Sequence, residues 1–162
     1  MAFFFLQLFF FHPAGADSGD SLDKDISWPE FMSRHDMVWE RLPVEFREAP
    51  WTGNGLIGSM IWYEEDRNLL RMQVFRSDVH DHTPFTQGNA GVARGRFQIG
   101  SFYLKPEGKI TGCDMKLDLW NARLRGTIKT AKGTIGFSHF THTSDLIIAT
   151  TIEPSAGEED CR

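Results

Sequence analysis

Apolar and polar side chains alternate along the second half of this chain, and no other sequence feature limits the possible folds as strongly. Met115, Leu117 and Leu119 are apolar, and the residues that precede or separate them are charged. Successive residues of a β-strand point to opposite faces, so a period of two predicts strands with one face in a core and the other in water. The pattern recurs from Arg96 to Ile152 between short turns. We therefore predict an all-β fold, an antiparallel β-sandwich.

The stretch from Trp51 to His82 concentrates turn glycines, aromatic residues and ionisable groups. It begins with Gly53-Asn54-Gly55, in which glycine reaches a positive φ without steric cost and asparagine tolerates one. Two apolar runs follow, 56–63 and 69–75, with a short polar break between them. This succession predicts a tight turn that leads into a β-hairpin.

Three parts of this stretch also carry a family resemblance: Pro50, the run from Gly53 to Met60, and the triplet Arg76-Ser77-Asp78. Together they resemble the N-terminal part of certain secreted glycoside hydrolases, the family 95 alpha-L-fucosidase-like enzymes and an uncharacterised bacterial group related to them. In that family a G-N-G motif opens an N-terminal β-sandwich, and an (α/α) toroid with the catalytic carboxylates follows. The fucosidases usually have an Asn-Glu-Asp-Thr-Leu-Trp-like run after the second strand. This chain has RSDVHDH there and is more similar to the uncharacterised relatives.

The resemblance implies that the chain is the non-catalytic N-terminal β-sandwich, of the glycoside hydrolase N-terminal supersandwich type, of a protein that acts on carbohydrate. Its role would be to brace a toroid catalytic domain that lies outside this sequence, and the sandwich itself is expected to be incomplete. The residues expected to face the substrate or the toroid are Trp51, Asn54, Arg76, Asp78 and His80. A free-standing carbohydrate-binding β-sandwich module is an alternative.

Asp78, His80 and His82 share one face if their strand stays extended, because alternate residues of a strand point the same way. One carboxylate and two imidazoles on one face are the ligands of a 2-His-1-carboxylate metal site, so a metal-dependent β-sandwich enzyme is a further alternative. The glutamate that a cupin would supply shortly afterwards is missing from 83–95. A polar strand end explains these residues better, and we predict no metal or other cofactor.

Two other groups of ionisable residues are interpreted as structural. His139 and His142 are three residues apart, so they lie on opposite faces of a strand, and we predict that both are surface or hairpin-end histidines. Glycoside hydrolysis needs two carboxylates held ~5–10 Å apart across the scissile bond. The cluster 64–66 lies instead in the predicted hairpin break, where a solvated charge run is the ordinary interpretation. The chain itself is therefore predicted to be non-catalytic.

Two of the tryptophans lie in the central stretch. Trp62, inside the hairpin, is predicted to be a core residue. Trp51, beside the Gly-Asn-Gly turn, is predicted to lie at the surface, where an indole ring can stack on a sugar.

The chain divides into four predicted segments. Residues 1–16 are a signal peptide, with an apolar run and the small residues Ala14-Gly15-Ala16 at its end, and they place the protein outside the cytoplasm, secreted or periplasmic. Residues 17–35 are a flexible leader, in which Ser27 and Glu30 resemble a capping box for one helical turn. Residues 36–153 form the truncated sandwich, and 154–162 form a polar, mobile tail.

Charge and cysteine content exclude several classes of partner and site. A net charge of -5 argues against nucleic-acid binding, which needs a basic face. The apolar run near the N-terminus is shorter than the ~20 residues that a membrane-spanning helix requires, so no membrane partner is predicted. Cys113 and Cys161 are predicted to be two unpaired thiols, because two widely separated cysteines are no disulfide framework.

Overall fold

The computed structural model describes residues 26–80 and 96–162 and consists of two antiparallel β-sheets that pack face to face. The predicted signal peptide 1–16 lies outside the described residues. The predicted all-β antiparallel sandwich is confirmed. The described elements are α1 Trp28–Ser33, β1 Met37–Trp39, a 3₁₀ helix Phe46–Glu48, β2 Trp51–Gly53, β3 Ile57–Glu64, β4 Leu69–His80, β5 Arg96–Leu104, β6 Ile110–Asp118, β7 Arg123–Thr130, β8 Thr134–Thr141 and β9 Ile148–Pro154. The five-stranded sheet has the order β1-β6-β7-β8-β9, and the four-stranded sheet has the order β2-β3-β4-β5.

The core lies between the two sheets and is filled by side chains at alternate strand positions. The alternation in β6 buries Met115 and Leu117, as the sequence predicts, while Asp114 and Lys116 face water. The side chains that share this core are Leu42, Ile61, Tyr63, Leu70, Met72, Leu104, Ile110, Cys113, Met115, Leu117, Leu124, Ile128, Ile135 and Phe137. Within the described residues, no helix is both long enough and apolar enough to span a membrane.

The predicted hairpin is confirmed as β3 and β4. Their register runs without a break from the pair Ile57 and Arg76 to the pair Glu64 and Leu69. At the closed end Glu64 accepts hydrogen bonds from two arginines, at 2.9 Å each, so the charged break is a structural turn. At the open end Gly55 has a φ of 89°, the positive value that the Gly-Asn-Gly sequence predicts.

Trp62 is not the core residue that the sequence suggests. The core-facing positions of β3 are Ser59, Ile61 and Tyr63, and these three are buried. Trp62 therefore points to the opposite face of the sheet, where the guanidinium carbon of Arg71 lies 5.1 Å from its ring centroid. The position of a residue in the period of two decides its burial here, and the size of its side chain does not.

Residues 17–25 of the predicted flexible leader lie outside the described residues, and 28–33 form α1. The predicted helical turn is thus present, but its capping box is not. Ser27 makes no side-chain cap hydrogen bond, and Glu30 instead pairs with Arg34 at 2.9 Å. The helix begins with a proline in its first turn, a position where the missing N–H costs no helical hydrogen bond.

The prediction of a mobile polar tail over 154–162 is wrong, because this segment packs against the sandwich. Glu158 is 0% exposed. Its carboxylate accepts hydrogen bonds from the backbone N–H of Glu107 at 2.7 Å, from that of Gly108 at 2.8 Å, and from the hydroxyl of Thr130. Arg162 exchanges two backbone hydrogen bonds with Lys105. One carboxylate of this acidic segment is buried, because three donors satisfy it.

The two cysteines are free thiols, as predicted. Cys113 is buried in the core, and burial raises its pKa to about 11. Cys161, in the C-terminal segment, packs against the same core.

We expect Glu158→Gln to destabilise the fold by roughly 2 kcal/mol at pH 7, because a hydrogen bond to a charged group contributes ~1.5–3 kcal/mol. The adjacent, exposed Glu159→Gln is the matched control and should change the free energy of unfolding by less than about 0.5 kcal/mol. Urea denaturation measures both. Equal midpoints for the two variants would contradict the structural role of Glu158.

The same variant should show a defined pH dependence. Burial by itself raises the pKa of Glu158, but the hydrogen bonds from Thr130, Gly108 and Glu107 outweigh it, and the pKa lies below the usual 4.5. A lowered folded-state pKa stabilises the fold above the unfolded pKa, and this stabilisation is lost as the pH falls through the folded value. The stability difference between wild type and Glu158→Gln should therefore shrink between pH 7 and pH 3.

Candidate functional site

The Gly-Asn-Gly turn is fixed by Asn54, whose side chain hydrogen-bonds within this chain. Its Oδ1 accepts from the backbone N–H of Leu56 at 3.0 Å and of Ile57 at 2.9 Å. Its Nδ2 donates to the carbonyl oxygens of His142 at 2.9 Å and Asp145 at 3.2 Å, in the loop between β8 and β9. Asn54 thus ties the turn of one sheet to a loop of the other.

Trp51 lies beside this turn and is 62% exposed. It borders a shallow groove of about 260 Å³, which Met60, Phe75, Arg76 and Ser77 also line. The main chain of three glycines completes the groove, at positions 53, 55 and 58. A Cβ at Gly58 would lie 2.9 Å from the carbonyl oxygen of Thr52, so no side chain fits at that position without a shift of the backbone.

Arg76 and Asp78 form a bidentate ion pair next to the groove. The Nε and Nη2 of Arg76 donate to the two carboxylate oxygens of Asp78 at 2.9 Å and 2.7 Å. The hydrogen bonds from Arg76 lower the pKa of Asp78, which keeps the carboxylate ionised. His80 lies two residues further along β4 and pairs in register with Arg96 of β5. Trp51 and Arg76 therefore line one groove, Asp78 orients Arg76, and Asn54 holds the turn from the other side.

The predicted metal ligands are described only in part. His82 lies outside the described residues, and both oxygens of Asp78 are engaged by Arg76. Within 26–80 and 96–162, no group of three or more His, Cys, Asp or Glu side chains is placed to hold a metal ion.

The outer face of the four-stranded sheet continues from the groove as an ordered aromatic and polar surface. Two rows of paired residues cross this face. One row consists of Trp51, Met60 and Gln73, and the next consists of Trp62, Arg71 and Tyr103.

Arg71 holds the side chains of this outer face in place. It donates to Glu64 at 2.9 Å, to Gln98 at 3.0 Å and to Ser101 at 3.1 Å, and its guanidinium carbon lies 5.1 and 5.8 Å from the ring centroids of Trp62 and Tyr103.

A second polar group is buried between the sheets and centres on His139, which is 1% exposed. The prediction of a surface histidine at this position is wrong. Nε2 of the ring lies 2.5 Å from the hydroxyl of Ser59, and Nδ1 lies 2.8 Å from the hydroxyl of Thr150. Thr52 links Ser59, at 3.3 Å, to Thr141, at 2.8 Å. His142 is only part-buried and pairs with Asp145 at 3.0 Å.

The buried hydrogen-bond chain runs from Thr141 through Thr52, Ser59 and His139 to Thr150. The His139 tautomer with its proton on Nδ1 uses all of these contacts and also the weak contact from the hydroxyl of Thr150 to the sulfur of Met72 at 3.8 Å. In this tautomer the oxygen of Thr150 accepts from Nδ1–H of His139. Nε2 then accepts from Ser59, which in turn accepts from Thr52. Burial lowers the pKa of His139 to about 4, so its imidazole is neutral near pH 7.

The sequence contains a signal that could have located His139. Ile135 and Phe137 are core-facing residues of β8, and the period of two places the next core-facing residues at 139 and 141. The spacing of the two histidines shows only that they lie on opposite faces, whereas the apolar residues before them show which face is the core. The outer aromatic surface gave no comparable signal, because the sequence does not reveal which strands lie side by side.

Comparison with known proteins assigns no family. No family model matches this chain, and no curated protein matches it either.

We expect the fold to lose stability as the pH falls from 6.5 to 4, because of His139. The unfolded state takes up a proton near pH 6.5, whereas the folded state resists it until about pH 4. Below 6.5 the unfolded state therefore binds more protons, and the stability of the fold decreases until the folded pKa is reached. At ~1.4 kcal/mol per unit of pKa, the loss approaches roughly 3 kcal/mol.

Urea denaturation at pH 7 and pH 4.5 tests this expectation. His139→Gln should lose clearly less stability between the two pH values than wild type does. His142→Gln is the matched control and should keep the wild-type dependence. The same pH dependence in wild type and His139→Gln would rule out His139 as the titrating group.

Proposed function

We propose that this chain is the non-catalytic N-terminal β-sandwich portion of a secreted glycoside-hydrolase-like protein that acts on carbohydrate, and that the outer face of the four-stranded sheet contacts the carbohydrate. The resemblance carried by Pro50, the run 53–60 and the triplet 76–78 supports the first part. The observation that carries the second is the exposed ring of Trp51 beside a groove lined by glycine main chain.

The composition of this face suits a sugar. A sugar ring has an apolar C–H face that packs on an indole, and hydroxyl groups that need hydrogen-bond partners at its rim. Trp51 offers the exposed aromatic surface, and the glycines allow a ligand to approach the main chain closely. Gln73 and Gln98 supply amide groups on the same face, and Arg71, already bound to Gln98 and Ser101, holds the polar groups in position.

A catalytic role has little support among the described carboxylates. Glu64 is bound by Arg67 and Arg71, and Asp78 by Arg76. Glu65 and Asp66 are exposed in the hairpin turn, where water solvates them. In the proposal, hydrolysis belongs to the toroid domain that the resemblance implies.

The bracing role draws support from β5, an edge strand of the four-stranded sheet. Near its start, the apolar side chains of Phe97 and Ile99 are 52% and 47% exposed. Exposed apolar patches of this kind mark surfaces that another protein part covers. In the proposal, the helical toroid covers this end of the strand.

The outer face by itself supports the alternative, a free-standing carbohydrate-binding module, equally well. The coding sequence beyond the codon for Arg162 separates the two. An α-helical region with acidic motifs there would support the bracing role, and a stop codon would favour the free-standing module.

We expect Trp51→Ala to weaken carbohydrate binding at least about tenfold, or ~1.4 kcal/mol, because a single exposed indole often dominates such a contact. Affinity electrophoresis of the full chain through gels that contain fucosylated xyloglucan, galactomannan or arabinoxylan measures the binding. Trp120→Ala is the matched control, since Trp120 is 51% exposed on the turn between β6 and β7, in the other sheet.

We expect at least one of the polysaccharides to retard the wild-type chain. The same polysaccharide should still retard Trp120→Ala but should not retard Trp51→Ala. If none of the three retards the wild-type chain, or if both variants bind like wild type, the outer face is not the carbohydrate surface.

A further inference from the structure

A cavity of about 420 Å³ opens between the two sheets, on the side where β5 and β9 are the edge strands. Its walls are mainly apolar, with Met72 and Val74 from β4, Phe102 and Leu104 from β5, and Ile148 and Ile152 from β9. Phe102 pairs in register with the core-facing Met72, yet it is far more exposed, because the space beside it is open. The volume lies within the range of small-molecule sites, about 300–1,000 Å³.

Three polar side chains of the buried hydrogen-bond chain also line this cavity: Ser59, His139 and Thr150. Ser59 and His139 already have strong partners on both sides. Thr150 differs, because its hydroxyl donates to a thioether, the sulfur of Met72 at 3.8 Å. A thioether is a weak acceptor. An oxygen that entered the cavity would give this hydroxyl a better partner without breaking a strong hydrogen bond.

The cavity wall is almost free of charge. The imidazole of His139 is neutral near pH 7, and burial raises the pKa of the Cys161 thiol, which is also protonated there. Among the described residues that line the cavity, Arg162 is the only one with a permanent formal charge, and it is exposed. A charged ligand would lose its hydration in this space without a buried counter-charge, which is costly.

We propose that this cavity binds an uncharged, mainly apolar small molecule that carries one oxygen able to accept a hydrogen bond from Thr150. The apolar walls supply the affinity, and the hydroxyl sets the orientation of the ligand. The cavity lies on the core side of β3 and β4, and the aromatic face with Trp51 lies on their other side. The two sites lie on opposite faces of the sheet and share only Ser59 and Tyr103, so either proposal can fail alone.

Isothermal titration of the full chain with 1-naphthol, naphthalene and 1-naphthoate tests the site. The three probes share one ring system and differ in a neutral oxygen, no oxygen, and a charged group. We expect saturable binding of 1-naphthol with a one-to-one ratio, and at least tenfold weaker binding of 1-naphthoate. No saturable binding up to 1 mM naphthol overturns the proposal, and tighter binding of the naphthoate overturns the uncharged ligand class.

Two variants on one strand locate the binding. Ile148→Trp fills the cavity and should weaken 1-naphthol binding at least tenfold. Ala149→Trp is the matched control, because Ala149 pairs with Phe140 on the outer side of the five-stranded sheet, and it should bind like wild type. Equal affinities in the two variants would place the ligand elsewhere.

A third variant tests the hydrogen bond and serves if Ile148→Trp does not fold. Thr150→Val removes the hydroxyl and keeps the shape of the side chain. It should lower the affinity for 1-naphthol about fivefold, the size of one hydrogen bond, and leave the affinity for naphthalene within twofold. An unchanged preference for naphthol over naphthalene would exclude Thr150 as the partner.

Discussion

A chain of hydrogen bonds that crosses the core fixes how the two sheets lie on each other. It runs from Thr141 through Thr52, Ser59 and His139 to Thr150. It crosses between the two sheets twice, at the pair Thr141 and Thr52 and at the pair Ser59 and His139. Apolar packing is non-directional and tolerates sliding. A buried polar group that loses its partner, in contrast, costs about 1–3 kcal/mol. A shift of one sheet by a single residue would leave several of these groups unpaired at once, and one alignment is therefore strongly preferred.

The position of the candidate carbohydrate surface depends on this alignment. Thr52 is the central residue of the three-residue strand β2, and its inward hydroxyl is held by Ser59 and Thr141. Trp51 and Gly53, its two neighbours, point outward and border the groove. Asn54 adds a second tie, from the end of β2 to the loop after β8. A strand this short would otherwise be held weakly, so the buried network determines where the exposed indole lies. A valine at position 52 keeps the shape of threonine but removes this tie.

Most of the fold could be predicted from the sequence, because it follows from a period of two that survives in nearly every strand. The same rule, applied strictly, would also have placed His139 inside and Trp62 outside. Side-chain type points the other way at both positions, since histidine is polar and tryptophan is highly buried on average. Glu158 is a different case. Two of its donors, Glu107 and Gly108, lie about fifty residues earlier in the chain, and the third, Thr130, lies about thirty residues earlier. No local sequence pattern predicts these contacts. Burial of a carboxylate by distant donors is a tertiary property that the local sequence does not contain.

The two proposed sites divide the four-stranded sheet between its faces, and the chemistry of each face follows from what covers it. The outer side of β3 and β4 has no opposing sheet among the described residues, so its aromatic side chains are arranged by Arg71 and remain accessible to a solvated ligand. The inner side is covered by the five-stranded sheet except along β5, where the core opens beside Phe102. Water is expelled from most of that side, which favours an apolar ligand there and disfavours a sugar with many hydroxyl groups. One sheet can therefore present a polar ligand surface and an apolar cavity, because the buried hydrogen-bond chain holds the wall between them in place.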